Sequence, residues 1–340
     1  MRAAVLYGKE DVRVETIQVP EISEGELLLK IGAALTCGTD LKVFRRGYHA
    51  TMIKPPSVFG HECAGTVIKT HAAQFQVGDR VVVANSAPCH ACYLCQRGQE
   101  NLCDDLHFIN GAYAEYLRVP ARFVQKNTHR IPEHLSFAEA AMVEPLACVV
   151  HGVEETKPSL GDIAVVLGLG PIGLMFVALL KHRGLTVIGV GRHTPRLELA
   201  RDLGADEVID ADEEGKWFQL LRQKSYLDIV IEATGRPETW EQAVQLVRKG
   251  GTVNFFGGCP AETKVTLDTN RIHYNQITLK SPFHHRPTSI RAALQAISEG
   301  IVKPAQFITD QRSLEELPAL LASMLKTKKV VKTCILPNGS

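Results

Sequence analysis

The chain has 340 residues, long enough for two domains with cores of their own. It is 45% hydrophobic and 22% charged, an ordinary globular balance, and its 38 basic side chains offset 37 acidic ones to leave a net charge of +1. No global field would draw such a chain to nucleic acid or to an anionic membrane, so neither is expected as a partner.

Taken in chain order, the opening MRAAVLYGKE lacks the apolar core of a signal peptide. Short apolar runs at residues 3–6, 26–31, 65–68 and 80–83 predict mostly β structure across the first 150 or so residues, with turns such as Val77-Gly78-Asp79 between them. Residues 163–180 carry no charge and have the length of a membrane span, yet Gly168, Gly170, Pro171 and Gly173 cluster inside them. That cluster divides the stretch into a buried strand and the start of a helix. From about residue 162, strand and helix alternate through IAVVLGLG, LMFVALLKHRG, TVIGV, TPRLELARDLGA, DIVIEATG, ETWEQAVQLVRKGG and VNFFGG. The alternation predicts an α/β domain, a doubly wound parallel sheet with helices on both faces. Beyond about residue 285, SIRAALQAISEG reads as a helix and VVKTCIL as a closing strand.

Four of the nine cysteines, Cys89, Cys92, Cys95 and Cys103, fall within fifteen residues in the spacing C-x2-C-x2-C-x7-C. In a chain without an export signal this clustering points to metal over disulfides and to a cytoplasmic protein. Four thiolates at tetrahedral reach form a closed structural zinc site that stabilises a loop with little core. An iron–sulfur motif would have a three-residue last gap and a Pro after the fourth Cys, whereas here the gap is seven and Asp104 follows. The lobe also has too few basic residues for a nucleic-acid zinc finger.

A second set is scattered: Cys37 in TCGTD, His61 and Glu62 in FGHECAG, and Glu144 in MVEPLACVVHG. Alone, each reads as a core thiol or a satisfied polar residue. Together they offer one sulfur, one nitrogen and one carboxylate oxygen with an open fourth position, the composition of a catalytic zinc site.

GLGPIG follows a buried strand and opens a helix. Gly168 permits the tight turn, Gly170 lets a pyrophosphate approach, and Gly173 lets helix and strand pack closely. Pro171 and Ile172 stand between them at the helix start, whose N–H groups face the phosphate. The next strand should end in an acid that accepts from the adenosine ribose diol. VIGVGRH instead has Gly191, then Arg192 and His193, with Arg196 one turn on. A guanidinium fork suits a 2′-phosphate, so the site reads as one for NADP, with NAD as the alternative.

CGTD, GHECAG, the cysteine lobe, GAYAEYLRVP, EPLACVVHG, VLGLGPIG and RLELARDLGAD succeed one another over nearly the whole chain. On these the chain resembles the zinc-dependent medium-chain dehydrogenase/reductases, the superfamily of alcohol, sorbitol and threonine dehydrogenases. EPLAC and FHHRP place it near the polyol and threonine branch. The resemblance implies a GroES-like β-rich catalytic domain over residues 1–151 and 286–340, a Rossmann domain over 152–285, a cleft between them, and a homo-oligomer, a dimer or homotetramer. It implies Cys37 and His61 as zinc ligands with Glu62 and Glu144 at the metal, one binding it and the other holding its water or exchanging; Glu144 is favoured for the latter. Each chain would then hold one catalytic and one structural zinc. The catalytic zinc acts as a Lewis acid on the substrate hydroxyl, and hydride passes to the nicotinamide. Thr39 matches the start of a proton relay. The relay's usual histidine, five residues after the cysteine, is here Lys42, a poor proton acceptor at neutral pH.

The expected substrate is a secondary alcohol of the sugar-alcohol or cyclitol kind, or its ketone. Phe44, Arg46, Tyr48, His49, Phe59, Asn110, His284 and His285 are pocket candidates for which packing or solvent exposure weighs as much. Cys63, Cys148, Cys259 and Cys334 read as buried thiols. An NAD-dependent threonine- or sorbitol-type dehydrogenase is the enzyme alternative. A non-catalytic NADPH-binding structural protein is the alternative of another class, and the full set of zinc ligands argues against it.

Overall fold

The computed structural model describes residues 1–340 apart from 50–51, 213–214, 225, 328–329 and 340. The chain divides into two units, Met1–Ala147 with His285–Ser340, and Cys148–His284.

The first unit is built on a sheet whose strands run in the order Thr128–Arg130, Arg80–Val83, Glu62–Thr70, Leu27–Leu35, Lys332–Leu336 and Ile308–Ser313, with Tyr116–Val119 also paired to Leu27–Leu35. Leu27, Leu29, Ile31, Val81, Val83 and Ile335 bury their side chains together with Phe59, Tyr113 and Phe123. Leu28 and Val82 between them are buried as well, so these strands read in the sequence as short apolar runs. The helix Gly38–Arg46, by contrast, interrupts a stretch the strand pattern left unassigned. Strand register brings distant segments together. Leu35 lies opposite Glu62 and also opposite Cys334, so the ends of three strands far apart in sequence lie side by side.

The second unit is α/β. Its elements are β1 Ile163–Leu167, α1 Pro171–His182, β2 Thr186–Gly191, α2 Thr194–Asp202, β3 Glu207–Asp210, α3 Lys216–Arg222, β4 Ile229–Glu232, α4 Pro237–Leu246, β5 Thr252–Phe255, α5 Thr269–Tyr274 and β6 Thr278–Lys280. All strand pairs are parallel, in the order β3–β2–β1–β4–β5–β6. The winding reverses between β1 and β4, and a sheet of this kind opens a ligand crevice beyond the strand C-termini at that point. Val165, Leu167, Ile188, Val190, Val230 and Phe255 form the core. The uncharged stretch 163–180 is thus one strand and most of one helix. Among the described residues no helix is long and apolar enough to cross a membrane.

Candidate functional site

Cys37 is the N-cap of the helix Gly38–Arg46. Its Sγ accepts the Thr39 N–H at 3.4 Å, and Asp40 reaches back to accept the Cys37 N–H at 2.9 Å. Asp40, only 1% exposed, does more than cap. Its Oδ1 lies 3.2 Å from His61 Nδ1, and its Oδ2 accepts the Tyr113 hydroxyl at 2.6 Å. With Nδ1 beside the carboxylate, His61 has Nε2 left for a metal, the arrangement in which a carboxylate orients a metal-binding histidine.

Glu62 follows at the start of its strand, fully buried. Its Oε2 pairs with the Lys332 ammonium at 2.5 Å, which also donates to the Thr36 carbonyl at 3.0 Å. The other oxygen, Oε1, is buried with no hydrogen-bond partner. One donor atom each from Cys37, His61 and Glu62 lie within 4.8 Å of one another. A sulfur, a nitrogen and an orphaned buried carboxylate oxygen at that spacing fit a zinc ion. Glu144 is buried too but stands outside this set. Its Oε1 is 3.7 Å from His285 Nε2, which is bonded to Asn85 Oδ1 at 2.9 Å.

The charges explain the titration behaviour. Burial opposes protonation of His61, but Asp40 and Cys37 outweigh it and hold the imidazole well above its ordinary value. Burial pushes the Glu62 carboxyl up against the pull of Lys332, and pushes Glu144 up to about 7.

Cys89, Cys92, Cys95 and Cys103 also lie within 4.8 Å of one another, and all four are free thiols. The Cys89–Cys95 and Cys92–Cys103 sulfurs are 3.9 Å apart. A tetrahedral zinc with bonds of about 2.3 Å needs sulfur–sulfur edges of about 3.8 Å. The Ala91 and Cys92 N–H groups point at Cys89 Sγ at 3.3 and 3.2 Å, as they would at a thiolate, and lower that thiol to about 6.

In the second unit the residues of GLGPIG form one turn. Gly168 has φ +101°, and a Cβ at residue 173 would stand 1.8 Å from the Gly168 carbonyl oxygen, so both must be glycine. Beside Gly170 the space is open to 4 Å, and α1 starts there without a side-chain cap. Free N–H groups and room for an anion are what a dinucleotide pyrophosphate requires. At the end of β2, the Leu169 side chain covers Gly191, with its Cβ only 2.6 Å from where a Cβ of residue 191 would stand. Arg192 is exposed, and its Nε lies 3.2 Å from Asp212 Oδ1. His193 precedes α2 with φ +71°, and Arg196 is partly buried, which lowers its pKa.

The remaining residues singled out from sequence fall in varied settings. Thr39 is in the first turn of Gly38–Arg46, and Lys42 is on the same helix, exposed. Phe44 and Phe59 are core residues, and His285 is buried against Asn85. Arg46 and Tyr48 are exposed, while His49 and Asn110 bond the backbone of Met52. Cys63 and Cys334 are buried, and burial pushes them up to about 12 and about 11. Cys148 and Cys259, expected to be buried, are partly exposed. Cys148 ends EPLAC within the helix Val143–Thr156, and Cys259 is in the loop after β5, where neighbours cover only part of each thiol.

Sequence reasoning missed Asp40, Tyr113, Lys332 and Asp212. Asp40 had a signal, since an acid three residues after an N-cap completes a capping box. The others had none.

Two family models match the chain, the alcohol dehydrogenase GroES-like domain over residues 23–133 and the zinc-binding dehydrogenase domain over 171–299. The chain is 32% identical to sorbitol dehydrogenase of Bacillus subtilis over 99% of this chain and 98% of that one. It is 33% identical to L-threonine 3-dehydrogenase of Bacillus velezensis over 89% of each. A zinc-binding dehydrogenase from Sinorhizobium meliloti, solved bound to NADP, superposes with a TM-score of 0.91 at 30% identity over 99% of both chains.

Proposed function

The chain belongs to the zinc-binding medium-chain alcohol dehydrogenase family and is an NAD(P)-dependent alcohol or polyol dehydrogenase, and on that premise we propose that it moves hydride between a secondary alcohol of the sugar-alcohol or cyclitol class and NADP(H). The observation that carries the cofactor choice is the end of β2. Gly191 brings no carboxylate to repel a 2′-phosphate, and Arg192 brings an exposed guanidinium. NADP in the Sinorhizobium meliloti structure and the sorbitol dehydrogenase relative support the reading.

Cys37, His61 and Glu62 would hold the catalytic zinc, with Glu144 beside it, and Cys89, Cys92, Cys95 and Cys103 the structural one. When bound, the catalytic zinc supplies Lewis acidity to the substrate hydroxyl and the nicotinamide supplies the hydride acceptor. Asp40 accepts the Cys37 N–H and sets its Oδ1 3.2 Å from His61 Nδ1, so it would orient both residues toward the metal. Lys332 occupies one oxygen of Glu62 and leaves the other for the metal. Thr39, two residues past Cys37, would take the substrate proton, and Lys42, one turn on and exposed, would face the solvent end of that path. Chelation of the lobe zinc would loosen the loop without touching this chemistry.

A second reading, an NAD-linked sorbitol- or threonine-type dehydrogenase, is favoured by Asp212, which puts a carboxylate next to Arg192. Titration of the zinc-loaded protein with NADPH and with NADH, followed by nicotinamide fluorescence, separates the two. At least tenfold tighter NADPH binding is expected. Equal or tighter NADH binding overturns the NADP reading and makes polyol or threonine oxidation with NAD the first assay.

A further inference from the structure

Glu232 ends β4, the strand at which the winding of the sheet reverses. The rest of that strand is Ile229, Val230 and Ile231, and Glu232 is itself 0% exposed. A carboxylate so placed costs stability unless its oxygens are fully occupied. Four uncharged donors converge on Oε1, and the Gly235 N–H also reaches Oε2 at 3.2 Å. The Thr234 N–H lies at 2.9 Å, the Gly235 N–H at 3.1 Å and the Thr239 hydroxyl at 2.8 Å, and the Thr234 hydroxyl completes the set. The Glu232 backbone carbonyl accepts the N–H groups of Phe256 at 3.0 Å and Gly257 at 2.8 Å. One residue therefore ties the turn after β4 to the turn after β5.

The glycine loop is the third turn in this arrangement. A Cβ on Gly168 would meet Thr234 Cγ2 at 2.7 Å, and the Ala233 N–H donates to the Leu167 carbonyl at 2.8 Å. A Cβ on Gly235 would meet the Gly258 carbonyl oxygen at 2.6 Å, and a Cβ on Gly257 would meet Glu232 Oε2 at 2.6 Å. Three backbone turns, at the C-terminal ends of β1, β4 and β5, are packed with no slack, and the Glu232 carboxylate sits at their junction. An apolar residue would fill the same volume but could not gather four donors.

We propose that Glu232 is a positioning residue for the dinucleotide. It fixes the turns after β4 and β5 against the glycine loop and so sets the crevice into which the nicotinamide half of NAD(P) enters. It does so through those turns and without touching the 2′ position, so the effect is the same for either cofactor.

The test is Glu232→Gln in the full, zinc-loaded chain, with Kd for NADH and for NADPH read by nicotinamide fluorescence and a thermal melt run alongside. The amide can keep a neutral carbonyl oxygen at the Oε1 position, but it loses the negative charge that gathers the four donors and sets an N–H2 against the Gly235 N–H at the Oε2 position. Both dissociation constants should rise about tenfold with their ratio unchanged, at a temperature where the protein is fully folded. A residue needed only for stability would lower the Tm and leave both constants within twofold of wild type, and that result overturns the proposal. Should Glu232→Gln fail to fold, Thr239→Val, which removes one donor, decides. A roughly threefold weakening of both cofactors supports the proposal and an unchanged Kd refutes it. Neither result depends on whether wild type prefers NADPH.

Discussion

Arg192 and Asp212 meet at 3.2 Å with side chains 52% and 57% exposed. An ion pair that wet contributes about 0.2–1 kcal/mol. A hydrogen bond from a guanidinium to a phosphate contributes about 1.5–3 kcal/mol. Transfer of Arg192 from Asp212 to a 2′-phosphate therefore nets about 1–2 kcal/mol, about five- to thirtyfold in affinity. Arg192→Ala should weaken NADPH by that factor and move NADH, which has no phosphate there, by less than about twofold. Asp212→Asn should act in the opposite direction, since it frees Arg192 and removes a like charge, and tighten NADPH by about two- to fivefold. Fluorescence titrations at low and high salt would read both, and the Asp212 effect should shrink as salt screens it. A 2′-phosphate role for Arg192 is refuted if Arg192→Ala weakens both cofactors alike, or if Asp212→Asn weakens NADPH. The second result would make Asp212 an anchor for Arg192 or an acceptor for the ribose diol, standing in for the acid missing at residue 191.

Two buried groups give further expected outcomes. Asp40→Asn leaves the shape of the site but loses the carboxylate shared by Cys37 and His61, so the catalytic zinc should bind about 10- to 100-fold more weakly in a chelator competition while the lobe zinc is unchanged; equal loss of both ions would count against the assignment. His129 has a buried Nε2 without a hydrogen-bond partner, and burial, with Arg291 nearby, pushes its imidazole down to about 4. The unfolded chain takes up that proton near pH 6.5 and the folded one only near 4, so stability present above pH 6.5 declines by about 2–3 kcal/mol as pH falls through that window. His129→Gln should flatten this decline in denaturant unfolding at pH 7.5 and 4.5, and parallel losses in the two proteins would exclude His129 as its source.

What could be read from sequence was chemistry confined to one turn of chain. The C-x2-C-x2-C spacing brings thiols together within a loop, and GLGPIG needs its glycines because the turn crowds residue 173 onto the Gly168 carbonyl. Strand and helix alternation was legible for the same reason, since a buried parallel strand is apolar along its whole length. Cys37, His61, Glu62 and Glu144 were gathered by donor type and given their roles by the resemblance of the whole chain, and no local spacing joins Cys37 or Glu144 to the His61-Glu62 pair.

What joins them is register. Leu35 pairs with Glu62 and with Cys334, and only that pairing puts Lys332 on Glu62 from 270 residues away and lets Asp40 reach His61. Tyr113 on Asp40, Asp212 on Arg192 and Glu232 at the meeting of three turns share that dependence. Gly191 shows the difference most plainly. From sequence it is a missing acid, and in the fold it is a position whose side-chain space Leu169 already fills. Residue type and spacing determined which chemistries the chain can hold, and strand pairing and packing decided which atoms are left to perform them, because hydrogen-bond partners and excluded volume are set by neighbours in space.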